Sequence, residues 1–240
     1  MDESSFDNLK TGDYSQNPRE QVRYAGQLSA VRFLDPTDRI DAQKLKQTIT
    51  NPNVQHWMSD LNMNEADFVA WMQEQGSTPN RRHYLFAVSG SQRTKPEDIG
   101  EIQGFIYFYS SSEEKLQAQK LIDAGILTPD DLEQKRLLEI SYAKSPDSPP
   151  GRITGGIMQS CLEVSKIMQR KSDTDPENIL VLAYIDPENT NSIRAVEAAG
   201  FDEIGSIASY GDEIVPNKVF RLNWDKLHKN LQSAAFRSLT

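Results

Sequence analysis

Cysteine is nearly missing. One residue, Cys161, stands in a chain of 240, which excludes an intrachain disulfide and a cysteine-rich zinc cluster. Histidine is scarce as well: His56, His83 and His228 are scattered without metal-ligand spacing, so no metal is expected. Long hydrophobic runs are lacking. The longest clean one, Ile179–Ile185, has the length of a strand, against the roughly 18 to 20 residues needed to span a bilayer, and no membrane partner is expected. The opening Met1-Asp2-Glu3-Ser4-Ser5 has neither the positive charge nor the following apolar segment of a secretory signal; a cytoplasmic location is the expectation. Positive charge is the minority sign, with 26 Lys and Arg against 35 Asp and Glu and a net charge of −9. The basic residues are spread along the chain rather than gathered in a stripe, which argues against a nucleic-acid partner. The same negative field favours the approach of a cationic amine.

What the chain does contain is 37% hydrophobic residues without an internal repeat, enough for one sizeable core. Residues 1–26 are rich in Asp, Ser, Asn, Gln and Gly and poor in large apolar groups, too little to offset the entropy of ordering them. They read as a flexible N-terminal tail before a domain spanning 27–240. Residues 28–34 (LSAVRFL) predict a first strand, stopped at Asp35-Pro36, with Thr37 or Asp38 capping a helix that runs toward Ile49. A second helix is expected from near Asn64, carrying Phe68, Trp71 and Met72 and ending at Gly76. Tyr84–Ser89 and residues 102–109 predict two strands joined by the polar loop 90–100. Residues 113–135 then insert helical material, with Thr128-Pro129 as cap and first helical position; a solvated excursion is favoured over a substrate lid or a dimer contact.

Residues 137–143 (LLEISYA) predict a fourth strand, followed by the turn Ser145-Pro146-Asp147-Ser148-Pro149-Pro150-Gly151 and a helix with Ile157, Cys161, Val164 and Met168 on one face. Cys161 on that face is a core residue rather than a nucleophile, because nothing near it in sequence lowers its pKa. Ile179–Ile185 is apolar on both faces, as a central strand should be. A helix over about 192–199 ends at Gly200, and strands at 203–210 and 218–224 complete the chain. The fold class is mixed α/β: about seven strands in a mixed sheet, flanked by about four main helices.

Two segments carry chemistry. In Pro150-Gly151-Arg152-Ile153-Thr154-Gly155-Gly156 the glycines let backbone approach an anion, and the following helix offers unpaired N–H groups and a positive dipole end. A diphosphate seat, with Arg152 adding a charge-assisted contact, stands beside the alternative of a plain strand-to-helix turn. The second segment is Asp186-Pro187-Glu188-Asn189-Thr190-Asn191-Ser192-Ile193-Arg194-Ala195-Val196-Glu197-Ala198-Ala199-Gly200-Phe201: strand end, capped helix, glycine stop and aromatic restart. With Asn189, Ser192, Arg194, Glu197 and Gly200-Phe201 at their spacing, it resembles the signature of GNAT superfamily N-acetyltransferases, especially the branch of bacterial ribosomal-protein N-terminal acetyltransferases. Both segments stand in that family's order.

The resemblance implies a GNAT-like fold, acetyl-coenzyme A as co-substrate and an amine as acceptor, on a protein N-terminus or a small molecule. It implies that Gly151, Arg152, Ile153, Thr154, Gly155 and Gly156 hold the coenzyme A diphosphate, that Ser141, Tyr142 and Ala143 lie beside the pantetheine arm, and that Asn189 and Ser192 border the cofactor. Three positions depart from the family's pattern: Pro150 replaces a Gln or Arg, Ile153 replaces a glycine, and Val196 stands where many relatives have a tyrosine acid.

An amine attacks a thioester only when unprotonated, so the site must accept a proton and assist the leaving thiolate. Glu139, in the strand beside the expected acetyl position, is the candidate base through an ordered water, against the reading of a strand-edge carboxylate in a surface ion pair. Ser192 is the candidate to reach the cofactor sulfur, or else a helix cap. Arg194 and Glu197 are assigned no catalytic role. His56, Trp57 and Met58 are candidates to line the acceptor pocket, or core residues; a homodimer is left open. Two other activities remain: a catalytically degenerate GNAT-fold binding module, and an acyltransferase using a longer acyl donor.

Overall fold

The computed structural model describes residues 23–25, 29–34, 39–57, 84–89, 102–109, 115–172, 175–208 and 216–236. Within Tyr84–Ser89 the side chains alternate between two cores: Tyr84, Phe86 and Val88 enter one cluster, and Leu85 and Ala87 enter another on the opposite side. A strand buried at every residue must lie inside a sheet covered on both faces. Among the described residues the sheet has eight strands: β1 (Arg23–Ala25), β2 (Ser29–Phe33), β3 (Tyr84–Ser89), β4 (Gly104–Tyr109), β5 (Arg136–Lys144), β6 (Ile179–Ile185), β7 (Phe201–Ile207) and β8 (Asn217–Leu222). Their spatial order is β1-β2-β3-β4-β5-β6-β8-β7. All neighbours are antiparallel except the central pair β5 and β6.

The helices are α1 (Arg39–Ile49), α2 (Pro52–Trp57), α3 (Lys115–Asp123), α4 (Pro129–Gln134), α5 (Arg152–Ser172), α6 (Thr190–Ala199) and α7 (Trp224–Phe236). The parallel pair needs a crossover, and α5 supplies it. Ile157, Cys161, Val164 and Met168 of α5, with Ala195, Val196 and Ala199 of α6 and Leu227 of α7, form one continuous core with the strands on that face. At the end of α6, Gly200 takes a left-handed conformation (φ 104°), and a Cβ there would lie 2.8 Å from the Leu227 amide nitrogen; only glycine meets both demands without strain.

The opposite face is divided. Leu45 and Ile49 of α1 pack with Leu34, Leu85, Ala87, Ile102, Phe105 and Ala143. Leu121 of α3 and Leu127 pack separately with Leu137, Leu180, Leu182, Ile207 and Val219. A buried ion pair fastens α1 to β2: Arg32 donates from both terminal nitrogens to Asp41, at 2.5 and 2.7 Å, with both side chains out of water. The bidentate geometry offsets the cost of removing the two charges from solvent.

Several expectations change here. Residues 23–25, inside the segment read as tail, pair as an edge strand on β2; residues 1–22 lie outside the described residues, as do the helix expected from Asn64 to Gly76 and the loop 90–100. The sheet therefore has one strand beyond the expected seven, and α2 is an addition. Of the insertion expected at 113–135, the described residues from 115 on carry α3 and α4, and Thr128 caps α4 through a reciprocal pair of hydrogen bonds with Asp131. It is not a solvated excursion, because Leu121 and Leu127 are buried against β5, β6, β7 and β8. The last strand ends at Leu222, and Trp224 opens a helix that the sequence reading took for strand. Asn223 starts it by accepting the Lys226 N–H at 3.1 Å, and Leu227 and Leu231 follow at helical spacing. No helix among the described residues is long and apolar enough to cross a membrane.

Candidate functional site

The central strand β5 has two halves with different neighbours. From Arg136 to Glu139 it pairs on one side with β6, in the register Glu139↔Leu182 at the last rung. Its pairing with β4 starts at Tyr109↔Glu139 and continues to Gly104↔Lys144. Beyond Glu139 no rung joins β5 to β6, although β6 continues to Ile185 and stays paired with β8 along its other edge. The two parallel strands part there, and the β5 edge from Ile140 to Lys144 faces a gap. Backbone N–H and C=O groups along such an edge recruit an extended chain that brings its own amides. The gap opens at the C-terminal ends of the parallel pair, where ligands of open α/β sheets collect.

Two helix N-termini flank this opening, since α5 follows β5 and α6 follows β6. Helix α5 begins at Arg152, so of the segment 150–156 only Pro150 and Gly151 remain in the turn; Ile153, Thr154, Gly155 and Gly156 belong to the first turns of the helix. Ser29 of β2 donates to the Arg152 carbonyl at 2.7 Å and pins this helix start to the sheet. The Ile153 side chain turns inward against the main core and lies 3.2 Å from where a Cβ on Gly104 would sit. Its bulk therefore points away from the helix mouth. Gly156 faces the sheet: an added Cβ would stand 2.7 and 2.9 Å from the Val88 methyls. That explains the glycine by close helix packing. The Arg152 N–H donates to the Pro149 carbonyl at 3.5 Å and the Gly155 N–H to the Gly151 carbonyl at 3.2 Å; the N–H groups of Ile153 and Thr154 are first-turn groups of the kind that bind an anion.

At α6 the N-cap is Asn189, whose side-chain oxygen accepts the Ser192 N–H at 3.1 Å. Asn189 thus shapes the helix start, and Ser192, expected as either cap or cofactor contact, is not the cap. Val196 is fully buried in the main core, so the position of the family's tyrosine acid does not open to the gap. Arg194 and Glu197 are exposed. The gap is instead crossed from β5: the Tyr142 hydroxyl donates to the Ser192 carbonyl at 3.0 Å. Burial pushes the Tyr142 phenol well above its ordinary range, against a smaller opposing effect of that hydrogen bond. The phenol therefore stays protonated and serves as a donor at neutral pH. The side-chain reach of Tyr142 was not legible in sequence, which pointed only to its backbone.

Glu139 sits at the apex where the strands part, with none of its surface exposed. The alternative of a surface ion pair is thereby excluded. Strand alternation puts Glu139, Ser141 and Ala143 on the divided face and Tyr142 on the α5 face. Burial also pushes the Cys161 thiol far up, which fits an inert core residue. His56 and Trp57 are exposed on α2, ring edge to ring face at 4.4 Å, and are not core; Met58 lies outside the described residues. No group of His, Cys, Asp and Glu among the described residues is arranged to hold a metal.

No protein-family model matches the chain, and no curated protein matches its sequence. Solved structures do match its fold. The spermidine N-acetyltransferase from Vibrio cholerae, in complex with CoA and spermine, superposes with a TM-score of 0.56 at 13% identity over 84% of this chain and 98% of that one. A GNAT-family acetyltransferase from Bacillus anthracis gives 0.55 at 14% identity, covering 85% and 98%. An aminoglycoside N(6')acetyltransferase from Legionella pneumophila gives 0.52 at 12%, covering 88% and 98%. The chain has the mixed α/β GNAT-like fold, with its central strands parting between two helix N-termini.

Proposed function

We propose that this chain transfers the acetyl group of acetyl-coenzyme A to a primary amine. The observation that carries the reading is the parting of β5 and β6 at Glu139. It leaves an unpaired strand edge for the amide-bearing pantetheine arm and, at its mouth, the first turn of α5 for the diphosphate. Ile153 and Thr154 would offer backbone N–H groups, Arg152 would add its side-chain charge, and Ser141, Tyr142 and Ala143 would line the arm. The fold is shared with enzymes described as acting on spermidine and on aminoglycosides, which favours a small-molecule amine over a protein N-terminus.

In this reading the amine attacks the thioester carbonyl directly. The carbon–sulfur bond breaks as the tetrahedral intermediate collapses, and the sulfur leaves as the thiolate, which takes a proton from water. Glu139, at the apex, receives the proton shed by the amine through a water. The Tyr142 hydroxyl and Ser192 flank the sulfur side of the gap. A second reading, a module that binds but does not transfer, is favoured by one feature: the Tyr142–Ser192 hydrogen bond spans the gap, while Val196 supplies no acid.

Calorimetric titration with acetyl-coenzyme A, and separately with coenzyme A, tests the proposal. Binding in the micromolar range is expected, with release of free thiol when a reactive amine is added. Glu139→Gln is expected to lower turnover about 100-fold or more while leaving cofactor affinity unchanged. No binding at millimolar cofactor would refute the transferase reading; binding without thiol release from any amine would favour the module. Thioester chain length separates an acetyltransferase from an enzyme using a longer acyl donor.

A further inference from the structure

The gap beyond Glu139 is tied across by a side chain. Tyr142 stands on β5 past the last parallel rung, Glu139↔Leu182, on the face covered by α5 and α6. Its hydroxyl donates to the Ser192 carbonyl, in the first turn of α6, at 3.0 Å. Ile153 from the first turn of α5, Ile193 from the first turn of α6 and the Tyr142 ring all pack against the same core, so the bond lies on the face from which both helix starts open. A chain running from the first turn of α5 to the apex at Glu139 meets this bond on its way.

The bond is built to be given up. Ser192 lies inside α6, where a carbonyl is the ordinary acceptor of the amide four residues on, so losing the phenol leaves that oxygen satisfied. The Tyr142 ring keeps part of its surface in solvent, and a freed hydroxyl has water or an incoming amide to turn to.

We infer that Tyr142 is a latch: its hydrogen bond to Ser192 holds the gap shut in the empty protein, and the pantetheine arm enters when that bond opens. The inference rests on the acetyl-transfer reading above and adds a conformational step to the same site. It also gives the bond that favoured a non-transferring module a place in the transferase. One hydrogen bond between neutral groups biases an equilibrium by about twofold to tenfold, so the open form is a minority state within easy reach. Association of the cofactor is slowed by the fraction of chains that are open. A diphosphate that stops at the mouth of α5 does not cross the bond and is not slowed.

The test is stopped-flow association of acetyl-coenzyme A, and separately of ADP, which carries the diphosphate without the arm, with the full chain and with Tyr142→Phe. This variant keeps the ring and removes the latch. Acetyl-coenzyme A is expected to associate about twofold to tenfold faster with Tyr142→Phe, and ADP at the same rate with both proteins. Equal or slower association of acetyl-coenzyme A with the variant, or an ADP rate that rises by the same factor, overturns the latch and leaves the transferase reading standing. If ADP binds too weakly to follow, the acetyl-coenzyme A rates decide alone. Acetyl-coenzyme A binding by the variant but not by wild type supports the latch. No binding by either protein overturns the transferase reading and the latch together. Should Tyr142→Phe lose its thermal transition, tyrosine difference absorbance of wild type decides: a saturable change with coenzyme A that ADP does not produce is expected, and the same change with both ligands, or none with either, rejects the latch.

Discussion

The two faces of the sheet are built differently. One is covered by α5, α6 and α7 over a single continuous core, and the other by two separate covers, α1 with α2 and α3 with its following turn. The continuous face packs helix backbone directly onto side chains of the sheet, as the missing Cβ of Gly156 against the Val88 methyls illustrates. The divided face brings polar side chains into its interior at the Arg32–Asp41 pair and at Glu139. Burying such groups costs stability unless geometry compensates. A buried carboxylate at the last of the four parallel rungs, opposite the half-buried Tyr109, is therefore a place where the fold carries a cost that packing alone does not explain.

If the covers of the divided face are integral to the domain, removing their anchor should cost as much as a core mutation. Leu121→Ala is expected to lower stability by about 3 kcal/mol in denaturant unfolding, with unchanged acetyl-coenzyme A affinity because Leu121 belongs to the far cluster. A change within a few tenths of a kcal/mol would restore the solvated excursion. On the continuous face, Gly156→Ala should cost about 2 kcal/mol, since its Cβ would meet Val88 at 2.7 Å and Ile106 at 3.2 Å. This variant should also weaken cofactor binding, because displacing α5 moves the N–H groups of its first turn. The smallest effect concerns Asp131. The hydrogen bond from Lys135, then that from the Thr128 N–H, holds its carboxyl down at about 2. A depressed folded pKa contributes stability that is present above the unfolded value of 3.8 and is lost as pH falls from there toward 2. Asp131→Asn should cost about 1 kcal/mol at neutral pH, and the gap from wild type should close in unfolding measurements carried down through that window.

Strands made of short apolar runs were legible: Tyr84–Ser89 and Ile179–Ile185 fall at their expected bounds, because a run of strand length rich in apolar, β-branched and aromatic residues is a local signal. Helix α6 was legible from Gly200 and from the spacing of its motif. Helix α7 was missed although Asn223, Leu227 and Leu231 carry its signal, because Lys218 to Trp224 was read as one strand. The docking of α3 was not legible either, since nothing in residues 113–135 says which surface Leu121 meets.

For the candidate site the division is sharper. The sequence by itself determined that a strand bearing Glu139, Ser141 and Tyr142 precedes a turn and a long helix, and that Asn189 precedes a second helix; these are local patterns of turn chemistry and periodicity. Tertiary structure alone decided that β5 and β6 part after Glu139↔Leu182, that Glu139 shares a rung with Tyr109, and that Tyr142 reaches Ser192. Register between strands is set by packing between segments distant in the chain, and no single segment contains it.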